Sequence, residues 1–197
     1  MSSNEKGKNI VNAFKVVYET YENIQKLMSY LKSQAEERKE YVCCSDKFLR
    51  WRSDSESSGW LYGSITNVFQ NAQDDELENT WRDGPLYVYE LNFDSYDEAM
   101  VNIVRFDYEG IDKWSSNSLS PGDHWIFWWP LYDPNNNIMD YEEDGNEYHG
   151  TILSETMSKR YRGLKRIEGF SVPLVDITAE NAYDTFFGGF GRLEKSK

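Results

Sequence analysis

The first 39 residues carry the clearest pattern in the chain, a stripe of large apolar side chains at alternating steps of four and three. Its members are Ile10, Phe14, Val17, Tyr21, Ile24, Met28 and Leu31. Residues at this spacing share one face of an α-helix, so the pattern predicts a long amphipathic helix. We expect this helix to pack on a sheet of the same chain. A homodimer through residues 10–31 is the alternative, although Phe, Tyr and Met are not typical of dimeric coiled coils.

Beyond residue 41 the pattern changes to short runs rich in aromatic and β-branched residues. Residues 86–93 (LYVYELNF) and 100–108 (MVNIVRFDY) predict an antiparallel hairpin, and Asp144–Gly145 predicts the turn of another. Ring residues after 182 predict a short helix that ends at Gly188 and Gly189. The order predicts an α+β fold: a long N-terminal amphipathic helix packed on a mainly antiparallel sheet of five to seven strands, with a short C-terminal helix.

Residues 124–132 (HWIFWWPLY), which contain the most apolar segment of the chain, predict the central strand of this sheet. Alternate residues of a strand share a face, so Trp125 and Trp129 lie on the same side and both faces are apolar. A strand of this kind is normally covered on both sides, which favours burial of the Trp row. The alternative is an exposed platform, formed by Trp125 and Trp129, that stacks on a sugar, a base or another small ligand.

Composition favours one globular domain over residues 1–197, with flexible tails at residues 1–8 and 192–197. Aromatic residues make up 16% of the chain, which argues against disorder. The formal net charge of -13 repels nucleic-acid phosphates and anionic membranes, so neither is expected as a partner. The N-terminus shows no apolar export signal, and the adjacent Cys43 and Cys44 form no disulfide framework. We therefore expect a cytoplasmic protein with reduced thiols.

Two places in the sequence bring a carboxylate close to an imidazole. They are Asp123 with His124, and Glu147 with His149. If the fold brought these four side chains together, they would form the site of a metal-dependent hydrolase or nuclease. Asp after Pro-Gly is also common in turns, and a capped turn with a surface histidine is the favoured interpretation.

Two charged runs add further candidate residues. Asp140, Glu142 and Asp144 imitate the first half of a calcium-binding loop, but Thr151 stands where that loop needs a bidentate Glu. A solvated hairpin tip is therefore favoured and no metal is expected. A basic run could bind a phosphate or an acidic partner, although salt bridges within the chain are favoured. The basic run consists of Lys159, Arg160, Arg162, Lys165 and Arg166.

The sequence contains no phosphate-binding loop, nucleophile motif or zinc-ligand spacing, which favours binding over turnover and predicts no cofactor. An acidic surface with aromatic anchors fits a basic protein partner, so an inhibitor, immunity-like or accessory role is the leading hypothesis. Two alternatives stay open. One is a metal-dependent hydrolase or nuclease with a His/carboxylate cluster, and the other is a small-ligand or carbohydrate binder with a Trp platform.

Overall fold

The computed structural model describes residues 3–115, 119–133, 135 and 137–195. The chain divides into two compact units, Met1–Arg38 and Lys39–Lys197. The first unit is a single 36-residue helix, α1 (Ser3–Arg38), which carries the whole apolar stripe. The predicted long N-terminal helix is therefore confirmed. It includes residues 3–8, which the sequence assigned to a flexible tail, whereas residues 1–2 of that tail lie outside the described residues.

The second unit is built on a seven-stranded sheet with the strand order β1-β2-β3-β4-β7-β6-β5. The strands are β1 (Tyr41–Cys43), β2 (Ser64–Asn71), β3 (Leu86–Asn92), β4 (Met100–Tyr108), β5 (Met139–Asp144), β6 (Glu147–Ile152) and β7 (Leu164–Pro173). Every neighbouring pair is antiparallel. The predicted α+β class and the range of five to seven strands are confirmed.

Both hairpins expected from the sequence are present. In β3 and β4, Val88 lies opposite Val104, so the two apolar runs meet in register. In β5 and β6, Asp144 pairs with Glu147 across a tight turn. Gly145 occupies that turn with a φ of 64°, a left-handed conformation that glycine adopts without steric cost.

Short helices cover the sheet of the second unit. They are α2 (His124–Leu131), α3 (Glu155–Arg160), a π-helical turn (Asp184–Gly188) and α4 (Gly189–Lys195). One face of the sheet lies under the C-terminal pair, where Phe186 packs on Tyr89 and Phe190 on Tyr87, with ring centroids 4.8 and 5.3 Å apart. No helix in the described residues combines the length and the apolar character that crossing a membrane requires.

The prediction that the apolar segment forms the central strand is wrong. Its residues form α2, which lies on the other face of the sheet. The apolar run has no polar positions that would reveal its period, so pattern alone cannot separate a strand from a buried helix. What decides is the start of the helix. The 3₁₀ turn Pro121–Asp123 leads directly into α2. Asp123 accepts hydrogen bonds from the Ser120 backbone NH and hydroxyl at 2.8 and 3.0 Å, a capping box that opens this turn with Pro121 at its first position.

The C-terminal helix is confirmed, but it does not stop at the two glycines. Gly189 begins α4 and lies against the sheet, where an added Cβ would come within 3.0 Å of Phe170 Cζ and 3.2 Å of Ile103 Cγ2. The missing side chain thus lets the helix approach the strands closely. Residues 192–195 of the predicted tail are helical, whereas residues 196–197 lie outside the described residues.

Removing the Phe190 ring should destabilise the protein strongly. Its side chain is 0% exposed, and Phe190→Ala would leave a cavity between α4 and the sheet. We expect a loss of about 3–5 kcal/mol in the free energy of unfolding, measured by urea denaturation. Val175→Ala is the control: Val175 is 80% exposed, so its loss should stay within about 0.5 kcal/mol. Equal losses in the two variants would contradict this packing.

Candidate functional site

The sheet face beneath α2 is apolar at one end and polar at the other. Alternate residues of β3 point to this face, beginning with Leu86 and Val88 and continuing with Glu90 and Asn92. Partner strands extend the polar end. Its buried members are Ser64, Thr66, Glu90, Asn92, Asn102 and Ser171.

The side chains of α2 follow the same division. Ile126 and Phe127 belong to the hydrophobic core, and the Phe127 ring meets the Phe106 ring at a centroid distance of 5.3 Å. At the two ends of the helix, His124 and Tyr132 lie over the polar residues and form hydrogen bonds with them. The helix thus matches an apolar surface with apolar side chains and a polar surface with polar ones.

Glu90 is the centre of the polar end and is 1% exposed. Its Oε2 accepts hydrogen bonds from the Tyr132 hydroxyl at 2.6 Å and from Asn102 Nδ2 at 3.0 Å. Its other oxygen, Oε1, has no hydrogen-bond partner within the described residues. Burial raises the pKa of Glu90 above its ordinary value, and the hydrogen bonds from Tyr132 and Asn102 offset this only in part.

His124 and Ser64 form a second buried pair, with His124 Nε2 and Ser64 Oγ 2.7 Å apart. Burial lowers the pKa of His124 to about 4, so the ring is neutral at pH 7. A serine hydroxyl on a neutral imidazole is the arrangement that can activate a nucleophile. In the described part of the chain, however, no carboxylate binds the ring to orient it, so a triad is not formed.

Above this pair lies an open cavity of about 400 Å³, a size typical of small-molecule sites. Four indole rings dominate its lining. The lining residues are Trp51, Ser58, Gly63, Ser64, Asp94, His124, Trp125, Trp128 and Trp129. We refer to this cavity as the Trp pocket.

The indoles of α2 are held in place by other rings. Trp128 and Trp129 meet edge to face, with centroids 4.8 Å apart and planes at 81°. Trp128 also packs against Tyr132, and Trp125 packs against the buried Tyr161. Trp125 and Trp129 are nevertheless each 39% exposed, so the sequence-based expectation of a buried Trp row is wrong for these two residues. In a helix, positions 125 and 129 lie on one face, and here that face is open.

The fourth indole comes from the loop between β1 and β2. Leu49 forms a β-bridge with Thr66, and the Arg50 NH donates to the Pro121 carbonyl at 3.1 Å. These bonds bring Trp51, the next residue, to the start of α2. The loop then folds back so closely that a Cβ on Gly59 would lie 2.4 Å from the Ser53 nitrogen. Glycine at this position permits the approach.

The four candidate catalytic residues do not come together. The carboxylate of Asp123 binds Ser120 and, at 2.7 Å, Arg162, whereas His124 binds Ser64. The other two lie on the exposed hairpin, where Glu147 pairs with Arg192 and His149 with Glu142. Neighbours in sequence are therefore not partners in space.

The candidate metal ligands Asp140, Glu142 and Asp144 are alternate, exposed residues of β5. They therefore project from one side of a strand rather than surrounding a cavity. Across residues 3–195, apart from the gaps at 116–118, 134 and 136, no group of three or more His, Cys, Asp or Glu side chains is arranged to hold a metal ion.

The basic run is occupied by contacts within the chain. Its ion pairs are Lys159 with Glu155, Arg162 with Asp123, Lys165 with Glu109 and Arg166 with Asp107. Arg160 lies 5.8 Å from the centroid of the Tyr161 ring. Four of the five charges of the run are therefore paired within the chain. These contacts agree with the favoured interpretation of the run as a set of intrachain salt bridges.

Sequence reasoning missed several residues of the site, namely Trp51, Ser64, Glu90, Asp94 and Trp128. One signal was present for Glu90, because it shares a strand face with Leu86 and Val88 and must point into the interior with them. Another was the Ser120–Asp123 capping box, which predicts a helix start. Nothing in the sequence indicates that Trp51 and Asp94, which lie in separate loops, meet at one cavity.

Comparison of this chain with protein-family models, with curated proteins and with solved structures gives no match in any of the three.

The raised pKa of Glu90 predicts that the stability of the protein depends on pH. Between its ordinary pKa of 4.5 and the raised value, the folded state holds a proton that the unfolded state has released. The stability of the wild type relative to Glu90→Gln should therefore fall as pH rises above about 4.5, by up to about 1.4 kcal/mol per pH unit. Urea denaturation of both proteins across pH 4–8 measures the difference. A constant difference would contradict the shift.

The lowered pKa of His124 should change stability with pH in the opposite direction to that of Glu90. Between pH 6.5 and about 4 the unfolded chain binds a proton on this ring and the folded chain does not. The contribution of His124 to stability should therefore be complete above pH 6.5 and be lost as pH falls toward 4. Imidazole NMR of His124 should show a neutral ring at pH 5.5. A charged ring at that pH would contradict the described burial.

Proposed function

We propose that this protein is a non-catalytic binding protein and that the Trp pocket takes one small organic ligand with apolar or aromatic surface. The observation that carries this proposal is the convergence of four indoles on one open cavity. Large aromatic side chains bury much apolar area and are hot spots of recognition. Leaving such rings in contact with water costs free energy that ligand binding recovers.

The rings of the pocket are also preorganised. Trp128 is fixed between Trp129 and Tyr132, and Trp125 rests on Tyr161, so these side chains lose little conformational freedom when a ligand enters. Rigid aromatic walls of this kind favour affinity. They are a weaker argument for catalysis, since the Ser64–His124 pair lacks the orienting carboxylate that catalytic triads use.

The basic protein partner and the cytoplasmic location inferred from the sequence stay proposals. The support for the partner is the net charge of -13, which attracts cations of every kind. The support for the location is that Cys43 and Cys44 form no disulfide. The small-ligand hypothesis has the more specific support, because it rests on a defined cavity.

Fluorine NMR of the protein labelled with 5-fluorotryptophan tests the proposal. The chain has seven tryptophans, so each site gives its own resonance. Titration with indole, a neutral aromatic probe, and with methyl β-glucoside should shift the resonances of Trp51, Trp125 and Trp129 for at least one probe. Trp125→Ala should weaken that binding about two- to tenfold, because one ring contact is lost.

Trp60→Ala is the matched control, because Trp60 is 68% exposed and does not line the cavity. Its resonance should stay in place, and its removal should leave the affinity unchanged. The resonance of the buried Trp81 reports whether each variant is folded. Shifts that appear equally at Trp60, or an absence of shifts at the pocket indoles with both probes, would contradict the proposal.

A further inference from the structure

Asp94 gives the Trp pocket a charge. Its carboxylate lies against the pocket wall at Gly63, where an added Cβ would come within 1.9 Å of Asp94 Oδ2. The backbone around it is fixed, because the Phe93 NH donates to the Gly63 carbonyl at 2.8 Å and the Asp94 NH donates to Asn92 Oδ1 at 3.2 Å. The glycine thus makes room for a carboxylate at the rim of an aromatic cavity.

No positive charge opposes Asp94 among the described residues that line the cavity. Neither Lys nor Arg is present in the lining, and the only basic group, the His124 ring, is kept neutral at pH 7 by burial. The whole chain carries a net charge of -13. The local field and the overall field therefore have the same sign, and both favour a cation.

The aromatic walls favour the same kind of ligand. Indole faces carry negative quadrupole charge and attract cations, and Trp is the strongest of the aromatic side chains in this respect. Trp128 and Trp129 contact each other edge to face, at 81°, so the two rings line the cavity in different orientations.

We propose that the ligand of the Trp pocket carries a quaternary or otherwise alkylated ammonium group, held by the indole walls and paired with Asp94. This inference rests on the proposed function and adds the chemical class of the ligand to it. Alkylated ammonium groups fit such a cavity because they are weakly hydrated and present an apolar surface together with a positive charge.

Choline and its neutral isostere 3,3-dimethylbutan-1-ol form the matched pair that tests this inference. They differ by replacement of the ammonium nitrogen with carbon, so shape is held constant while charge changes. We expect the wild-type protein to bind choline about tenfold more tightly than the isostere in an isothermal titration at fixed ionic strength. Asp94→Asn should weaken choline binding about threefold and leave binding of the isostere unchanged.

Asp97→Asn is the control for charge, because Asp97 lies exposed in the same loop but does not line the cavity. It should leave choline binding unchanged. Equal losses in Asp94→Asn and Asp97→Asn would show a general field effect and overturn the role of Asp94. Equal affinity for choline and the isostere would overturn the cation inference while the proposed binding function stands. If neither compound binds, the inference also fails, and the indole and glucoside titration decides the proposed function separately.

Discussion

The helix α2 has to cover a sheet face that is apolar at one end and polar at the other, and much of the second unit depends on how eight residues do this. Ile126 and Phe127 fill the apolar end, while His124 and the following Tyr132 bind the polar end. With those positions directed inward, helical geometry leaves Trp125 and Trp129 on the opposite side. The pocket is therefore a consequence of the same constraint that seats the helix.

The polar end of this face is costly to bury. A carboxyl group such as Glu90 loses its hydration, and within the described residues only one of its oxygens regains hydrogen bonds. The buried polar residues fix the orientation of α2. Apolar contacts tolerate sliding and rotation, whereas the hydrogen bonds of Tyr132 and His124 fix how α2 is turned about its axis. The orientation of the pocket indoles follows from that rotation, so the buried polar residues serve the site without lining all of it.

Sequence reasoning succeeded where the period and the composition of a segment distinguish a helix from a strand. The apolar stripe of α1 predicted a helix, the runs of aromatic and β-branched residues in β3 and β4 predicted a hairpin, and both are present. It failed at α2, because an unbroken apolar run has no period to read, and the capping residues that mark the helix start were interpreted as a turn. It also failed at the site, because Trp51, Ser64 and Asp94 meet there only through tertiary contacts between separate loops and strands.

The neutrality of His124 connects the fold to the ligand proposed for the pocket. An exposed imidazole would be partly protonated near pH 6.5 and would repel a cation, but burial against Ser64 removes that charge. The overall negative field attracts every cation alike, so it cannot select among them. Selection has to come from the indole walls, since a small inorganic ion would lose its strong hydration there, whereas an alkylated ammonium group has little hydration to lose. Long-range charge then concentrates cations near the protein, and the aromatic cavity decides which of them stays.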